Sequence, residues 1–266
     1  MKDRLTPMAI GGALVCVLLS MIMDGGNPAV LMKPAPLILV FGGTFAVSLA
    51  GLRKRDLKGV KTVFKQAMGS STIDMDTSIE AIVNLSKVAK QSNVMALENY
   101  VRDVDDQFLH LGIQLVVDGS NSEEIREILE NEIDAMQARH RAGSKFFTDM
   151  GGFAPTLGIL GTVIGLVHVL GSLSNPGSLG PAIASAFTAT LWGVLSANLF
   201  WLPIANKLQQ ASATEARIKL MQVEGLLALQ AGGSSRVVRL RMEAFLPSAS
   251  REDPFPDRRK DQEEAA

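Results

Sequence analysis

Two threonines are the residues of this sequence whose type and position could act on an ion. Thr162 and Thr190 lie between Met150 and Lys207, in a stretch that contains no Asp, Glu, Lys or Arg and is rich in Leu, Val, Ile, Ala and Gly. A threonine hydroxyl in an apolar helix most often bonds the carbonyl one turn back. It can also supply an oxygen atom to a cation or to a hydrated path. We therefore treat both threonines as candidate ion-path residues.

Prolines stand near both ends of the same stretch. Pro155 follows its start and Pro203 precedes its end. Proline often begins or ends a helix, because its ring lacks an N–H and clashes with the preceding turn. The functional alternative is that each proline marks a joint at which a membrane helix and a cytoplasmic helix bend separately. The sequence alone leaves both interpretations open.

The sequence lacks the residue patterns that are typical of enzymes, metal sites and cofactor sites. It has no nucleophile paired with a base, no cluster of metal ligands and no phosphate-binding glycine loop. The one cysteine, Cys16, lies in an apolar run and carries no redox signal. The formal net charge is −1 and there is no basic stripe, so nucleic acid is not an expected partner. We predict a protein that is not an enzyme and has no cofactor or metal.

The elements that must position the threonines and prolines are membrane helices. Uncharged runs span Leu5–Met23 and Pro34–Leu52, and the stretch after Met150 is divided by turn residues at 174–178. Apolar runs of this length are typical of helices that cross a hydrocarbon core of roughly 30 Å. The sequence therefore predicts four transmembrane helices in two hairpins. Because these runs contain no carboxylate, Lys or Arg, an ion-binding charge would have to come from another subunit.

Small residues recur at helical spacing in both helices of the second hairpin. They are Gly158, Gly161 and Gly165 in one helix, and Ala182, Ala186, Ala189, Thr190, Gly193 and Ala197 in the other. Lipid provides little hydrophobic drive for helix association, so close approach along small residues is what joins such helices. We predict that this hairpin packs closely against other helices.

Charge and periodicity outside the hairpins predict a helical cytoplasmic part. Basic residues crowd positions 53–65 after the second run, and Lys and Arg mark the cytoplasmic side of a membrane, so both termini are expected there. Apolar stripes at helical spacing comprise Ile125, Ile128, Leu129, Ile133 and Met136, and Ile79, Ile82 and Val83. The fold class is therefore all-α: a polytopic membrane protein with a helical cytoplasmic domain between the second and third transmembrane helices.

The predicted domains follow from these segments. Residues 1–52 form an N-terminal transmembrane hairpin, 53–149 the helical cytoplasmic domain, and 150–206 the C-terminal hairpin that lines the candidate ion path. Residues 207–266 are predicted to form a cytoplasmic helix and then a disordered tail from Arg251, because the composition turns polar.

Several runs distributed along the chain form one recognisable pattern. They are GFAPTLGILGTVIGL at 152–166, LGPAIA at 179–184, ATLWG at 189–193, EGLLALQ at 224–230 and GGT at 42–44. Together they resemble the flagellar motor stator subunits of the motility protein A family. The resemblance implies a homo-oligomeric ring in the bacterial inner membrane around a motility protein B-like partner, which has one membrane helix with an ion-binding Asp and a peptidoglycan-binding domain. Ion flow past that Asp would turn the ring against the flagellar rotor and its switch protein FliG.

The resemblance implies roles for individual residues of the second hairpin. Thr162 and Thr190 match threonines that face the ion path. Pro155 and Pro203 match prolines that couple ion flow to movement.

A second set of residues is similar to the family's rotor-facing segment, which corresponds here to residues 89–98. Lys90 stands where Arg is usual, and Glu98 stands where Glu is usual. Lys keeps the charge of Arg but loses its planar fork, so a bidentate contact is not expected. Asn93 stands where Gly is frequent, and Asn tolerates similar turn geometry.

Ala189 bears on the transported ion. Sodium-driven relatives carry Thr-Thr-Leu-Tyr-Gly where this chain has ATLWG at 189–193. Alanine removes an oxygen that could help to replace the hydration shell of sodium, whereas a proton needs only the partner's carboxylate and water. The resemblance therefore favours H⁺ over Na⁺.

Three other classes of protein remain open as alternatives. An ExbB- or TolQ-like subunit shares the Gly- and Thr-rich hairpin and energises outer-membrane processes. Those relatives place the long cytoplasmic segment after their first span, whereas two uncharged runs precede it here. A self-contained channel would need a charged ion ligand in its spans. A passive membrane scaffold would not need Pro155, Thr162, Thr190 and Pro203 together.

Overall fold

Residues 5–52, 75–101, 104, 106–171, 173–174 and 176–248 are described by the structure, a computed structural model. Every regular element in these ranges is helical, which confirms the all-α class. The helices are α1 (Leu5–Met23), α2 (Pro34–Ala50), α3 (Met75–Ser92), α4 (Glu98–Val101), α5 (Gln107–Val117), α6 (Ser122–Gly171), α7 (Pro176–Gln230) and α8 (Ser235–Glu243). The basic cluster at 53–65 and the predicted tail at 251–266 lie outside the described residues.

The chain divides into two compact units. The first combines residues 1–71 with 138–212, and the second combines 72–137 with 213–266, as far as these are described. Both α6 and α7 contribute residues to each unit. The boundaries that charge composition suggested, at 149/150 and 206/207, therefore lie inside continuous helices.

Three helices in the described ranges are long and apolar enough to cross a membrane. They are α1, α6 and α7, whereas α2 is apolar but shorter. α1 ends at Met23, where the first uncharged run ends, and α2 occupies most of the second run. The count of four transmembrane helices remains a prediction.

Two helices contain a widened π-helical turn. One occupies Ile38–Gly42 within α2, and the other occupies Ala197–Trp201 within α7 and ends two residues before Pro203. Proline lacks an N–H and its ring crowds the carbonyl four residues upstream, so a wider turn at this place relieves the clash. α6 runs through Pro155 without interruption. Both prolines therefore lie inside helices and do not begin or end them.

A large apolar core fills the second unit. Four of the five residues of the longer predicted stripe are buried in it, as are Ile79, Ile82 and Val83 of the shorter one. Residues 216–229 of α7 pack into the same core, within the segment where a cytoplasmic helix was predicted. Asn121 caps α6 by accepting a hydrogen bond from the Glu124 N–H at 2.9 Å, which explains why the helix starts at Ser122.

The helix α8 has no counterpart among the elements predicted from the sequence. Val238 and Met242 are fully buried in the core of the second unit, and Ser234 caps the helix through the Val237 N–H. The helix is short and contains three arginines, so its sequence reads as polar. The spacing of four residues between Val238 and Met242 is the one sign in it of a buried helix face. The chain after Gly233 therefore packs on this core as far as Leu246, which is buried in it.

Candidate functional site

Two helices of the first unit, α6 and α7, approach each other backbone to backbone. A Cβ placed on Gly193 would lie 2.7 Å from the Ala154 carbonyl oxygen, and one on Gly158 would lie 2.9 Å from the Ala189 carbonyl oxygen. Further toward the C-terminal end of α6, a Cβ on Gly165 would lie 2.6 Å from the Cβ of Ala186. The small residues of the two ridges thus pack against each other within the hairpin. The predicted packing of the hairpin against other helices stays a prediction.

The threonines form a hydrogen-bonded pair across this crossing. The hydroxyl oxygens of Thr162 and Thr190 contact each other directly. The Thr162 hydroxyl also lies 3.1 Å from the Ala186 carbonyl oxygen, on the opposite helix, and 3.3 Å from the Gly158 carbonyl oxygen. The Thr190 hydroxyl reaches the Gly158 carbonyl oxygen on the opposite helix at 3.2 Å. Most hydrogen bonds of the two hydroxyls therefore join α6 to α7, and the Thr162–Gly158 contact is the one within a single helix.

The pair has two hydroxyl protons for these acceptors. Thr190 can donate to the Gly158 carbonyl or to the Thr162 hydroxyl, while Thr162 donates to the Ala186 carbonyl. Each hydroxyl oxygen can also accept hydrogen bonds. Both side chains are half-buried, so the pair can offer oxygen atoms to water beside the crossing.

Ala189 lies next to Thr190 but faces a different surface. It is buried, and a Cβ on Gly161 would come within 2.6 Å of its own Cβ. Leu39 of α2 packs at the same place, since its Cδ2 would lie 2.9 Å from that added Cβ. Ala189 therefore serves the packing of α6 on α7.

The two prolines lie close to the crossing. The Pro155 Cα would lie 3.2 Å from a Cβ on Gly193. One turn before it, Gly151 packs so tightly on Leu202 that an added Cβ would lie 2.5 Å from the leucine Cδ2, and Leu202 directly precedes Pro203. The structure therefore brings the proline-bearing parts of both helices together, with the π-helical turn Ala197–Trp201 beside them.

Lys90 and Glu98 lie in the second unit, on either side of a sharp turn. Lys90 is exposed in the last turn of α3, and Glu98 is exposed at the start of α4. Asn93 between them has a positive φ of 96°, and its side chain accepts a hydrogen bond from the Met95 N–H at 2.6 Å. Asparagine thus adopts here the left-handed type of backbone that favours glycine.

A cluster of charges in the second unit was not predicted. Glu224 accepts a hydrogen bond from Arg126 at 2.9 Å and lies 3.8 Å from Arg241. The hydrogen bond to Glu224 raises the pKa of Arg126 above its usual value. Arginine is charged throughout the physiological range, and stability from a raised pKa is lost only as the pH rises through it. The cluster therefore braces α6, α7 and α8 and is not a pH switch.

Two hydrogen bonds join the segment before α2 to α7. The Lys33 ammonium donates to the Pro181 carbonyl at 2.8 Å, and the Trp192 indole donates to the Leu31 carbonyl at 2.7 Å. Trp192 belongs to the ATLWG run, where the sequence analysis assigned it no role. Its N–H fixes α7 against the neighbouring segment.

Replacing Thr162 with valine is expected to lower the thermal stability of the purified complex, because it removes the hydroxyl that connects the two helices. Hydrogen bonds between membrane helices contribute about 0.6 kcal/mol on average and up to about 1.7 kcal/mol. Thr156→Val is the matched control, since within the described part of the chain the exposed Thr156 hydroxyl bonds only the Phe153 carbonyl of its own helix. Equal effects of both changes in a thermal unfolding experiment would contradict the role of the pair as a link.

Comparisons with known proteins agree with this arrangement. A model of the MotA/TolQ/ExbB proton channel family matches residues 101–221, and a model of the motility protein A N-terminal region matches residues 9–94. Motility protein A of Cereibacter sphaeroides is 39% identical over 246 residues, which cover 90% of this chain and 94% of that protein. Motility protein A of Bacillus subtilis is 33% identical over 250 residues, with 94% and 93% covered.

Solved structures give the same result. The flagellar MotAB stator complex from Bacillus subtilis contains a chain that superposes with a TM-score of 0.86 at 33% identity, covering 92% of this chain and 97% of that one. A chain of C. jejuni MotAB superposes with a TM-score of 0.88 at 23% identity and shows the same fold. Fold and site thus define a subunit of the MotA/TolQ/ExbB proton channel class. Within that class, the chain belongs to the motility protein A family.

Proposed function

We propose that this chain is the stator subunit of a flagellar motor, which couples ion flow across a membrane to torque on the rotor. The observation that carries the proposal is the threonine pair Thr162–Thr190, held between two closely packed helices in a stretch without any ionisable carboxylate. Such a site can guide an ion but cannot bind its charge. A partner must then supply the carboxylate, and a motility protein B-like single-span subunit has that chemistry.

The proposed path runs beside the threonine pair. Both hydroxyls are already engaged with carbonyl groups and with each other, so they are poorly placed to replace the whole hydration shell of a sodium ion. Ala189 adds no oxygen, because its side chain is packed against Gly161. A proton that moves through water to the partner's carboxylate needs no such shell. We therefore favour H⁺ as the transported ion.

The proposed coupling element is the pair of prolines. Pro155 on α6 and Pro203 on α7 each interrupt the main-chain hydrogen bonds of a continuous helix. A helix bends more easily at such a point. Protonation of the partner's carboxylate would shift the crossing, and bending at the prolines would convert that shift into movement.

The proposed rotor contact lies at the turn between α3 and α4. Lys90 and Glu98 present opposite charges on exposed side chains there. Exposed charges of this kind set orientation and rates of encounter more than affinity. The switch protein FliG is the proposed partner at this surface.

The remaining parts of the proposal concern assembly and location. Large apolar side chains of α6 and α7 are exposed in the single chain, among them Ile159, Val163, Val167 and Phe187. Such faces fit lipid, neighbouring copies of the chain and the partner helix. We place the chain in a homo-oligomeric ring in the bacterial inner membrane, with four transmembrane helices and both termini in the cytoplasm.

The test of the stator function is deletion of the coding sequence, followed by filament staining and tethered-cell rotation. Full-length filaments that do not turn, and that turn again when the intact gene is restored, would support the proposal. Normal rotation in a strain that lacks any second stator would overturn it. The next experiment would then ask whether an outer-membrane process fails, as expected for an ExbB- or TolQ-like subunit.

The transported ion is tested by replacing sodium with potassium while rotation is recorded. Rotation should continue without sodium and stop when a protonophore collapses the proton gradient. Rotation that follows the sodium concentration would contradict proton coupling while leaving the stator function intact.

Lys90→Glu is expected to weaken engagement with the rotor by about fivefold, since an exposed ion pair contributes up to about 1 kcal/mol. The readout is the number of stators that engage per motor, measured as speed steps during restoration of expression. Lys87→Glu is the matched control, because Lys87 is also exposed on α3 but bonds Asn84 at 3.3 Å. Equal losses from both changes would indicate a general charge effect and contradict a specific contact.

A further inference from the structure

The buried face of α2 is half polar. Its buried residues are Pro36, Val40, Thr44 and Ser48, which recur at intervals of four. Thr44 is 0% exposed and Ser48 is 2% exposed. Two hydroxyls turned away from lipid must bond either the carbonyls one turn back in their own helix or a polar group of a neighbour.

These hydroxyls have no hydrogen-bonding partner among the protein atoms of the described chain, and the same holds for the buried indole N–H of Trp201. Buried polar atoms in native proteins are almost always hydrogen-bonded. Other hydroxyls of the first unit follow that rule: Thr188 bonds the Ala184 carbonyl at 2.7 Å, and Ser196 bonds the Gly193 carbonyl at 3.2 Å. Thr44, Ser48 and Trp201 therefore require another partner.

Contacts on both flanks of α2 show which helices its buried face meets. On one flank, Gly43 packs against Leu157 of α6, since an added Cβ would lie 3.2 Å from the leucine Cδ1. On the other flank, the Phe41 ring packs on Trp201 with ring centroids 6.2 Å apart. Residues three and seven positions after Phe41 share its side of the helix, and these are Thr44 and Ser48.

Trp201 also extends toward the end of α2. It packs on the buried cluster around Phe146 and Met150, and Leu49 packs on the same cluster. The indole thus lies beside Phe41, and the cluster that it contacts is also contacted by Leu49 further along α2. Thr44 and Ser48 lie between these two positions.

We propose that Thr44, Ser48 and Trp201 hold a buried water molecule between α2 and α7. The indole N–H donates to the water, and the two hydroxyls can each donate or accept, so the site offers three hydrogen bonds. Three is the usual number for a buried water. Trp201 closes the π-helical turn before Pro203, so the water lies beside the place where α7 is irregular. Unlike a direct bond, a water can exchange partners when the two helices shift.

The test is a double-mutant cycle with Thr44→Val and Trp201→Phe, read as the midpoint of thermal unfolding of the complex purified from membranes. Each single change should lower the midpoint of unfolding, because the water and the remaining side chain each lose a hydrogen bond. The two changes together should lower it by clearly less than the sum of both. Thr44→Val with Trp192→Phe is the matched control and should be additive, since the Trp192 indole already bonds the Leu31 carbonyl.

Two results would overturn the proposal. If Thr44→Val raises the midpoint of unfolding, the native hydroxyl is buried without a hydrogen-bonding partner, because its removal then relieves a desolvation cost. If Thr44→Val and Trp201→Phe are additive, the hydroxyl bonds within its own helix and no bridge exists. Ser48→Ala with Trp201→Phe repeats the test at the second hydroxyl, where neither the native residue nor its replacement is β-branched. None of these measurements involves rotation, so their failure would leave the proposed stator function untouched.

Discussion

Gly193→Ala is expected to abolish motility and to destabilise the complex. The added Cβ would lie 2.7 Å from the Ala154 carbonyl oxygen, 3.0 Å from the Gly158 Cα and 3.2 Å from the Pro155 Cα. All three are main-chain atoms, so a side-chain rotation cannot relieve the contact and the helices must separate. Overpacking of this kind costs about 1–3 kcal/mol. Separation would also pull apart the hydroxyls of Thr162 and Thr190.

The measurements for this prediction are swimming speed and thermal unfolding of the purified complex. Gly180→Ala is the control on the same helix, because nothing lies within 4 Å of a Cβ at Gly180. That change should leave motility intact, and the better helix propensity of alanine should not harm α7. Normal swimming of the Gly193→Ala strain would show that the crossing tolerates a wider separation than the structure implies.

Pro203→Leu is expected to stop rotation while the complex still assembles, and Pro155→Leu should do the same. Leucine at 203 restores an N–H that can bond the Leu199 carbonyl one turn back. The π-helical turn Ala197–Trp201 can then relax to a regular α-helix, and α7 loses the place at which it bends. Rotation should fall to near zero, because bending is the step that transmits the ion's effect.

Two measurements separate this outcome from simple misfolding. Tethered-cell rotation reports torque, and the amount of complex recovered from membranes reports assembly. Pro181→Leu is the control: Pro181 lies near the start of α7, and leucine keeps the carbonyl that accepts the Lys33 hydrogen bond. If Pro203→Leu cells rotate normally, the proline has no coupling role. If the complex is absent from their membranes, the proline is needed for folding instead.

Some of the fold could be predicted because its cause is local. The first run without charges ends at Met23, and so does α1, since the Asp and turn residues that follow mark where the apolar environment ends. The apolar stripe that includes Ile125 and Leu129 likewise predicts a buried helix face, because the period of the helix is fixed. Asn93 tolerates its positive φ for the reason that sequence reasoning gave.

Other features could not be predicted because they depend on neighbours in space. A change in charge composition near Met150 suggests a domain boundary, but α6 continues through it to Gly171 because no strong breaker intervenes before Pro155. Pro155 itself is tolerated within the helix. The π-helical turn in α2 has no proline directly after it and no evident sequence signal.

For the candidate site, sequence and resemblance identified the residues but not their bonds. That Thr162 and Thr190 contact each other follows from the glycine crossing, whose exact height along the two helices no sequence pattern fixes. The buried hydroxyls of Thr44 and Ser48 were overlooked, although their interval of four, continuing from Val40, was visible in the sequence.

The placement of the aromatic residues has a practical consequence for spectroscopy. The chain has two tryptophans and one tyrosine, and both tryptophans, Trp192 and Trp201, belong to the first unit, whereas Tyr100 belongs to the second. Intrinsic tryptophan fluorescence therefore reports the first unit alone, while far-ultraviolet circular dichroism reports the helices of both. Recording the two signals during one melt would reveal whether the units unfold together or in sequence, without attaching any label.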